Sequence, residues 1–373
     1  MIELADYVIN DTNELLSPSL CLFLPLLKKN LDETIRLCGG PDRWRPHVKT
    51  HKTREIVRIQ LERGVTKHKC ATIAEAEMLA DVGALDVFVA YPMVGPNIQR
   101  LVKLTDQFPQ TRFATTVDSE ALAVQLGEAF DAAGRTIEVL LDLNPGMSRT
   151  GVYLNREAIE LYELICSTPG LAPRGLHWYD GQHRQPELAE RKAAVLAGWE
   201  QFVRFRDQLL ISGFEVPTVV ASGSGSFAIL AQTEEPGLEL SPGTTTLFDA
   251  DCDSCFSELD LRPAVAIFTR VVSRPDFNRL TFDVGHKSCA ADQPAGRRLY
   301  FPAIPDAREI QHTEEHLVVE TDRAGNFEIG QGTIAISRHI CPTMALHDYV
   351  NVVDGGEIVD RWQIAARNRM LSI

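Results

Sequence analysis

Ile137-Glu138-Val139-Leu140-Leu141-Asp142-Leu143-Asn144-Pro145-Gly146-Met147-Ser148-Arg149-Thr150-Gly151 reads as an apolar strand running into a glycine-bearing turn that presents an arginine. Seven more short β-rich runs surround it, at 20–24, 47–49, 67–70, 86–91, 112–115, 175–179 and 218–221. Between them lie apolar residues at helical spacing, as in 74–79, 121–130 and 158–166. Strands alternating with helices predict a parallel sheet with crossover helices. Eight repeats within residues 19–248 favour a closed (β/α)8 TIM barrel over an open doubly wound sheet.

The pattern changes near residue 250. Runs at 264–272, 279–284, 317–320, 333–337 and 349–353 read as strands, with turns such as Asp354-Gly355-Gly356, and long helical patterns vanish. The α/β barrel of residues 19–248 is therefore expected to be followed by a mostly β C-terminal domain, 249–373. The N-terminal segment 1–18 precedes the first expected barrel strand and is expected to join the β domain.

The chain has 373 residues, 45% apolar and 24% charged, with a net charge of −14. The acidity argues against nucleic acid or a membrane surface as partner, so an anionic ligand needs a locally basic or amide-lined pocket. No stretch reaches the ~18 apolar residues of a membrane helix. The start, Met1-Ile2-Glu3-Leu4-Ala5-Asp6, has no signal-peptide pattern. Eight scattered cysteines fit reduced thiols, and a cytoplasmic location is expected.

Four segments carry chemistry. Arg45-Pro46-His47-Val48-Lys49-Thr50-His51-Lys52 ends an expected barrel strand, and strand C-termini face the active site of such a barrel. An imine-forming lysine needs a lowered pKa, which neighbouring cations supply. The turn after residue 143 brings Arg149, a planar permanent cation suited to carboxylate or phenolate. Two late turns, Ser222-Gly223-Ser224-Gly225-Ser226 and Ser241-Pro242-Gly243-Thr244-Thr245, offer amides and hydroxyls where barrels bind phosphate. Finally, His339-Ile340-Cys341 at an expected strand end puts imidazole and thiol on one face, a pair suited to Zn²⁺ with open coordination positions.

Together these segments resemble the D-threonine aldolase / D-serine dehydratase family of fold-type III pyridoxal-phosphate enzymes, with an alanine-racemase-like barrel, over nearly the whole chain. The resemblance implies Lys49 as the Schiff-base lysine, with Arg149, Tyr179, Ser222, Gly223, Ser224, Gly225, Gly243 and Thr244 about the cofactor. It also implies His339 and Cys341 on a divalent metal. The thiolate turns the choice toward Zn²⁺, whereas a carboxylate would suit Mn²⁺ or Mg²⁺.

Leu346-His347-Asp348 and Trp362-Gln363-Ile364-Ala365-Ala366-Arg367 are similar to the aldolases. Cys341 and Ala90-Tyr91-Pro92 are similar to the dehydratases. Thr245, in place of an aromatic residue, and Glu315-His316-Leu317 depart from the family pattern. The expected activity is that of a lyase on small D-3-hydroxy amino acids, cleaving to glycine and an aldehyde, with His183 as base at the hydroxyl. The alternatives are β-elimination to a 2-oxo acid and ammonia, a racemase, and a non-catalytic cofactor-binding protein. A homodimer is expected.

Overall fold

The structure is a computed structural model describing residues 2–373, and the chain divides into two compact units. One comprises Ile35–Lys49, Ile56–Gly243 and Arg369–Ile373. Its parallel strands lie in chain order: Lys67–Cys70, Asp86–Pro92, Arg112–Val117, Ile137–Leu143, Leu171–Trp178, Thr218–Ala221 and Leu238–Leu240. Trp44 bridges to Leu240 and His47 to Lys69, both parallel, so the segment 44–47 closes the sheet into a barrel in the place of an eighth strand. The backbone bonds of that closure are Arg45 N–H to Leu240 O at 2.8 Å and Lys69 N–H to Pro46 O at 2.9 Å.

Phe88, Ala114, Leu140 and Val220 form a buried cluster with one residue from each of four strands. Helices cover the strands and are capped by short polar side chains. Thr72 accepts the Glu75 N–H at 3.2 Å, and Asn155 accepts the Ala158 N–H at 3.1 Å. Gly175, at φ +140°, is needed for its lack of side chain: a Cβ there would lie 1.9 Å from Thr218 O.

Two strand expectations need correction. Residues 20–24 are not a barrel strand. Ser19–Phe23 sits in the other unit, antiparallel to Val265–Asp276 and parallel to Tyr349–Asp354. A short apolar strand buried on both faces looks the same from sequence in either sheet. Residues 47–49 also form no strand; Val48–Thr50 is one turn of 3-10 helix that leaves the barrel after the single bridge at His47.

The second unit comprises residues 2–34, Thr50–Glu55 and Thr244–Asn368. Its mixed sheet runs Arg308–His312, Leu317–Glu320, Arg279–Phe282, Val265–Asp276, Ser19–Phe23, Tyr349–Asp354, Glu357–Gln363, with Gly332–Ser337 also on Val265–Asp276. Tyr7, Cys21, Phe23, Ala266, Phe268, Ile334, Ile336 and Val353 belong to its core. Tyr7 stacks edge-on to Phe23 at 5.1 Å and donates its hydroxyl to Pro263 O at 2.9 Å, which ties the N-terminal segment to this sheet.

Candidate active site

In the barrel unit the centre of the site is the ring of Tyr179, one residue beyond the strand Leu171–Trp178. Three cations face it: Arg149 at 4.9 Å, Lys69 at 5.4 Å and Lys49 at 5.7 Å from the ring centroid. Lys49 lies in the turn that leaves the segment 44–47, and its amide donates to His47 Nδ1 at 3.3 Å. Arg149 comes from the turn after Ile137–Leu143, pinned by Asn144 Oδ1, which accepts from Gly146 N and Ser148 N at 2.9 and 3.0 Å.

Sequence reading missed Lys69. It is buried, and its amine meets Ser241 Oγ at 2.7 Å and His177 Nε2 at 3.0 Å. His177 Nδ1 meets Asp142 Oδ1 at 2.7 Å. Burial, reinforced by Lys69, pushes His177 below its ordinary value. Burial would raise the Asp142 carboxyl, but His177 beside it brings it down. A neutral imidazole donating to an ionised Asp142 from Nδ1 leaves Nε2 to accept from Lys69. Burial first, then the Lys49 charge, bring the Lys69 amine down to about 7. The signal that could have found Asp142 and His177 is a polar residue near the C-terminal end of a largely apolar strand; Lys69 lies in the basic strand Lys67–Cys70 and gives no such signal.

The late turns are built closely. Gly243 lies so near His47 that a Cβ would come within 2.6 Å of His47 O. Ser222 holds φ +79°, a strained value for a residue with a side chain, and its Oγ accepts the Ser241 N–H at 3.2 Å. Gly223 N donates to Asp180 Oδ1 at 3.0 Å and to Ser226 Oγ at 3.1 Å. Burial raises the Asp180 carboxyl. Ser224 and Gly225 continue this turn, and Gly225 O accepts from Arg191 Nε at 3.1 Å. His183 sits half-buried in the same neighbourhood, its amide on Asp180 O at 3.3 Å.

These residues fit an anionic aldehyde cofactor. Three basic side chains stand around one ring, and the buried carboxylate beside them, Asp142, is already engaged by His177. The Gly243 turn leaves backbone where a side chain would not fit.

In the β unit, the strand Gly332–Ser337 ends before His339, which immediately precedes the short helix Ile340–Ala345. The expectation that His339 and Cys341 share a strand face is therefore corrected: a strand-to-helix turn brings the pair together instead. Burial would depress His339, but Cys341 and Asp292 beside it raise the imidazole to about 9. Asp292 bonds its Nδ1. Cys341 Sγ lies 3.2 Å from Thr50 Oγ1 and 3.8 Å from Thr244 Oγ1, so Thr244 is placed with the thiol. Asp249 Oδ2 holds the helix start, accepting from Ile340 N at 3.2 Å.

Among the described residues no group of three or more His, Cys, Asp or Glu is arranged to hold a metal ion. The pair fits a two-donor site, with imidazole and thiolate to the ion, a carboxylate behind the histidine, and the remaining positions for water and substrate. His347 is engaged elsewhere, on Ser288 O at 2.7 Å.

Barrel, β unit and lysine-centred site define a fold-type III pyridoxal-phosphate enzyme of the D-threonine aldolase / D-serine dehydratase group. The chain belongs to the family of the alanine racemase N-terminal domain, whose model matches residues 24–249, and a serine dehydratase domain model matches 264–353. It is an enzyme of the lyase class. It is 28% identical to the D-threonine aldolase of Arthrobacter sp. over 365 residues, 94% of this chain and 92% of that protein. The solved D-threonine aldolase from Filomicrobium marinum superposes with a TM-score of 0.90 at 28% identity, covering 100% of both chains. The D-threo-3-hydroxyaspartate dehydratase from Delftia sp. HT23 shares the fold, with a TM-score of 0.83 at 20% identity over 94% of this chain and 97% of that one.

Proposed function

We propose that this enzyme cleaves D-3-hydroxy amino acids between Cα and Cβ, giving glycine and an aldehyde, with pyridoxal phosphate and a divalent metal. The observation that carries the reading is Lys49 at the barrel mouth, grouped with Arg149 and Lys69 on the Tyr179 ring. The likeness to D-threonine aldolases over nearly the full chain supports the aldol reaction. Pyridoxal phosphate, when bound, supplies an electron sink for a bond broken at Cα.

Lys49 offers the amine that anchors its aldehyde. Arg149, the turn 222–225 and Gly243 would hold its negative charges, with the Tyr179 ring beside it. Thr244 would serve from the metal side, beside Cys341. His339 and Cys341 would hold the metal, which would supply Lewis acidity toward the substrate's β-hydroxyl. His183 is the base assigned to the hydroxyl proton.

Cys341 favours a second reading. A soft thiolate ligand matches Zn²⁺ and is the feature this chain shares with the dehydratases, whose reaction is elimination to a 2-oxo acid and ammonia. In both readings the enzyme acts on small molecules in the cytoplasm, as a homodimer. No helix among the described residues is long and apolar enough to cross a membrane.

Borohydride reduction followed by peptide mapping tests the anchor. The cofactor should be found on Lys49, and Lys49→Ala should lose both the visible colour and the label. A label on Lys52 or Lys69 in the native protein would contradict the assignment.

A further inference from the structure

We propose that Lys69 is a proton-accepting positioning residue of the barrel mouth: when an anion settles at the Tyr179 cluster, Lys69 takes a proton from solvent, so that anion binding is coupled to proton uptake. The inference rests on the reading of this cluster as the ligand site and adds to it a residue and a linkage.

The argument begins with hydrogen-bond accounting. An uncharged amine has two hydrogens and one lone pair; an ammonium has three hydrogens and none. Asp142 accepts from His177 Nδ1 at 2.7 Å, so His177 Nε2 accepts from Lys69 at 3.0 Å. Ser241 Oγ spends its own hydrogen on Ala221 O at 3.2 Å and accepts from Lys69 at 2.7 Å. Both hydrogens of an uncharged Lys69 are thereby committed, and the lone pair is its remaining valence. The relay is complete with the amine uncharged, and a third hydrogen adds a positive charge without breaking it.

The surroundings decide when that third hydrogen is present. On the segment preceding the strand stand Arg45, His47 and Lys49. From later strands come Asp142 and His177, and from the turns after them Arg149 and Tyr179. Asp86 and Glu239, toward the opposite strand ends, are bound to Arg45 at 2.8 and 2.5 Å and so spend their charge away from Lys69. Cations outnumber the carboxylates turned to this amine. With Lys69 itself 2% exposed, its charged form is poorly solvated. These two causes, burial first, hold the amine at about 7. An anion beside Arg149 reverses the second cause and brings the proton on, which is ordinary linkage between a ligand and a titrating neighbour.

Calorimetry of the holoenzyme tests this, with (R)-3-hydroxybutyrate as the probe: a carboxylate with a β-hydroxyl and no amine, unable to react. Titrations at pH 8 in HEPES and in Tris, which differ in ionisation enthalpy, give the protons taken up per ligand bound. The expected value is about half to one proton at pH 8, falling toward zero by pH 6, where Lys69 is already charged. Lys69→Arg, which keeps charge and donors, should bind the carboxylate with no pH-8 uptake; Lys69→Met should bind it at least ~10-fold more weakly. Inorganic phosphate on the apoprotein separates the sources: uptake there and not in the holoenzyme assigns the linkage to the cofactor's phosphate, the reverse to the substrate carboxylate. No uptake in either arm, or undiminished uptake in Lys69→Arg, overturns the inference. A holoenzyme preparation that carries no reducible cofactor overturns the functional reading instead, and is scored separately by its absorbance.

Discussion

Cys341 offers the proposed metal a thiol, a softer donor than a carboxylate. The thiol's neighbours are two threonine hydroxyls and the His339 imidazole, itself backed by Asp292. The proposal assigns the cofactor's anchor, Lys49, and the metal pair, His339 and Cys341, to different side chains, so their losses should separate. Cys341→Ala should keep the cofactor's colour and lose turnover by at least ~100-fold, the equivalent of about 2.7 kcal/mol. Chelator should do the same to the native enzyme without unfolding it. Cys341→Asp should move the metal preference from Zn²⁺ toward Mn²⁺, read by activity on re-addition of each ion. Cys255→Ala should change neither. Full activity of Cys341→Ala in chelator would remove the metal from the account and favour a racemase.

The strands' N-terminal ends carry a different chemistry from the active-site ends. Asp86, first in its strand, is bound by Arg45 at 2.8 Å and by Arg174 at 2.5 Å; Arg45 also binds Glu239 at 2.5 Å. This buried network sews the closing segment 44–47 to the strands beside it. Removing one partner leaves buried charge uncompensated, so Asp86→Ala should cost about 3–5 kcal/mol in urea unfolding while sparing the chemistry at the other end. Burial alone would raise the Asp86 carboxyl, but Arg45 and Arg174 hold it well below the carboxylate range. A depressed folded value stabilises fully above the unfolded value of about 4 and less as pH falls below it. The native protein should therefore lose stability steeply below about pH 4, and Asp86→Ala should flatten that limb.

The same scale shows what sequence can reveal. Lys67–Cys70, Ile137–Leu143 and Thr218–Ala221 were legible to the residue, because alternation with helices frames them. Ser19–Phe23 was not, since burial on both faces erases the clue to which sheet it joins. The His339 turn was misread as strand because a two-residue spacing also fits a helix start. Lys49 and Arg149 stood out as charges at strand ends. Lys69 hid in a run of basic residues whose inward and outward members only the pairing of His47 with Lys69 distinguishes.

Over the whole molecule a net charge of −14 coexists with a cationic cluster inside the barrel. Anions are thus drawn by local charge and repelled by the global field, which favours small ligands and makes binding sensitive to salt. The β unit is discontinuous in sequence, gathering residues 2–34, 50–55 and 244–368, so the chain builds part of it before and part after most of the barrel. The most direct measurement of what this assembly does is product identification from D-threonine with added Zn²⁺, alongside D-serine, L-threonine and alanine. The account predicts glycine and acetaldehyde from D-threonine in equal amounts, and nothing from L-threonine. 2-Oxobutanoate with ammonia would contradict the aldol reading in favour of elimination, and racemised alanine without carbon–carbon cleavage would contradict the lyase reading altogether.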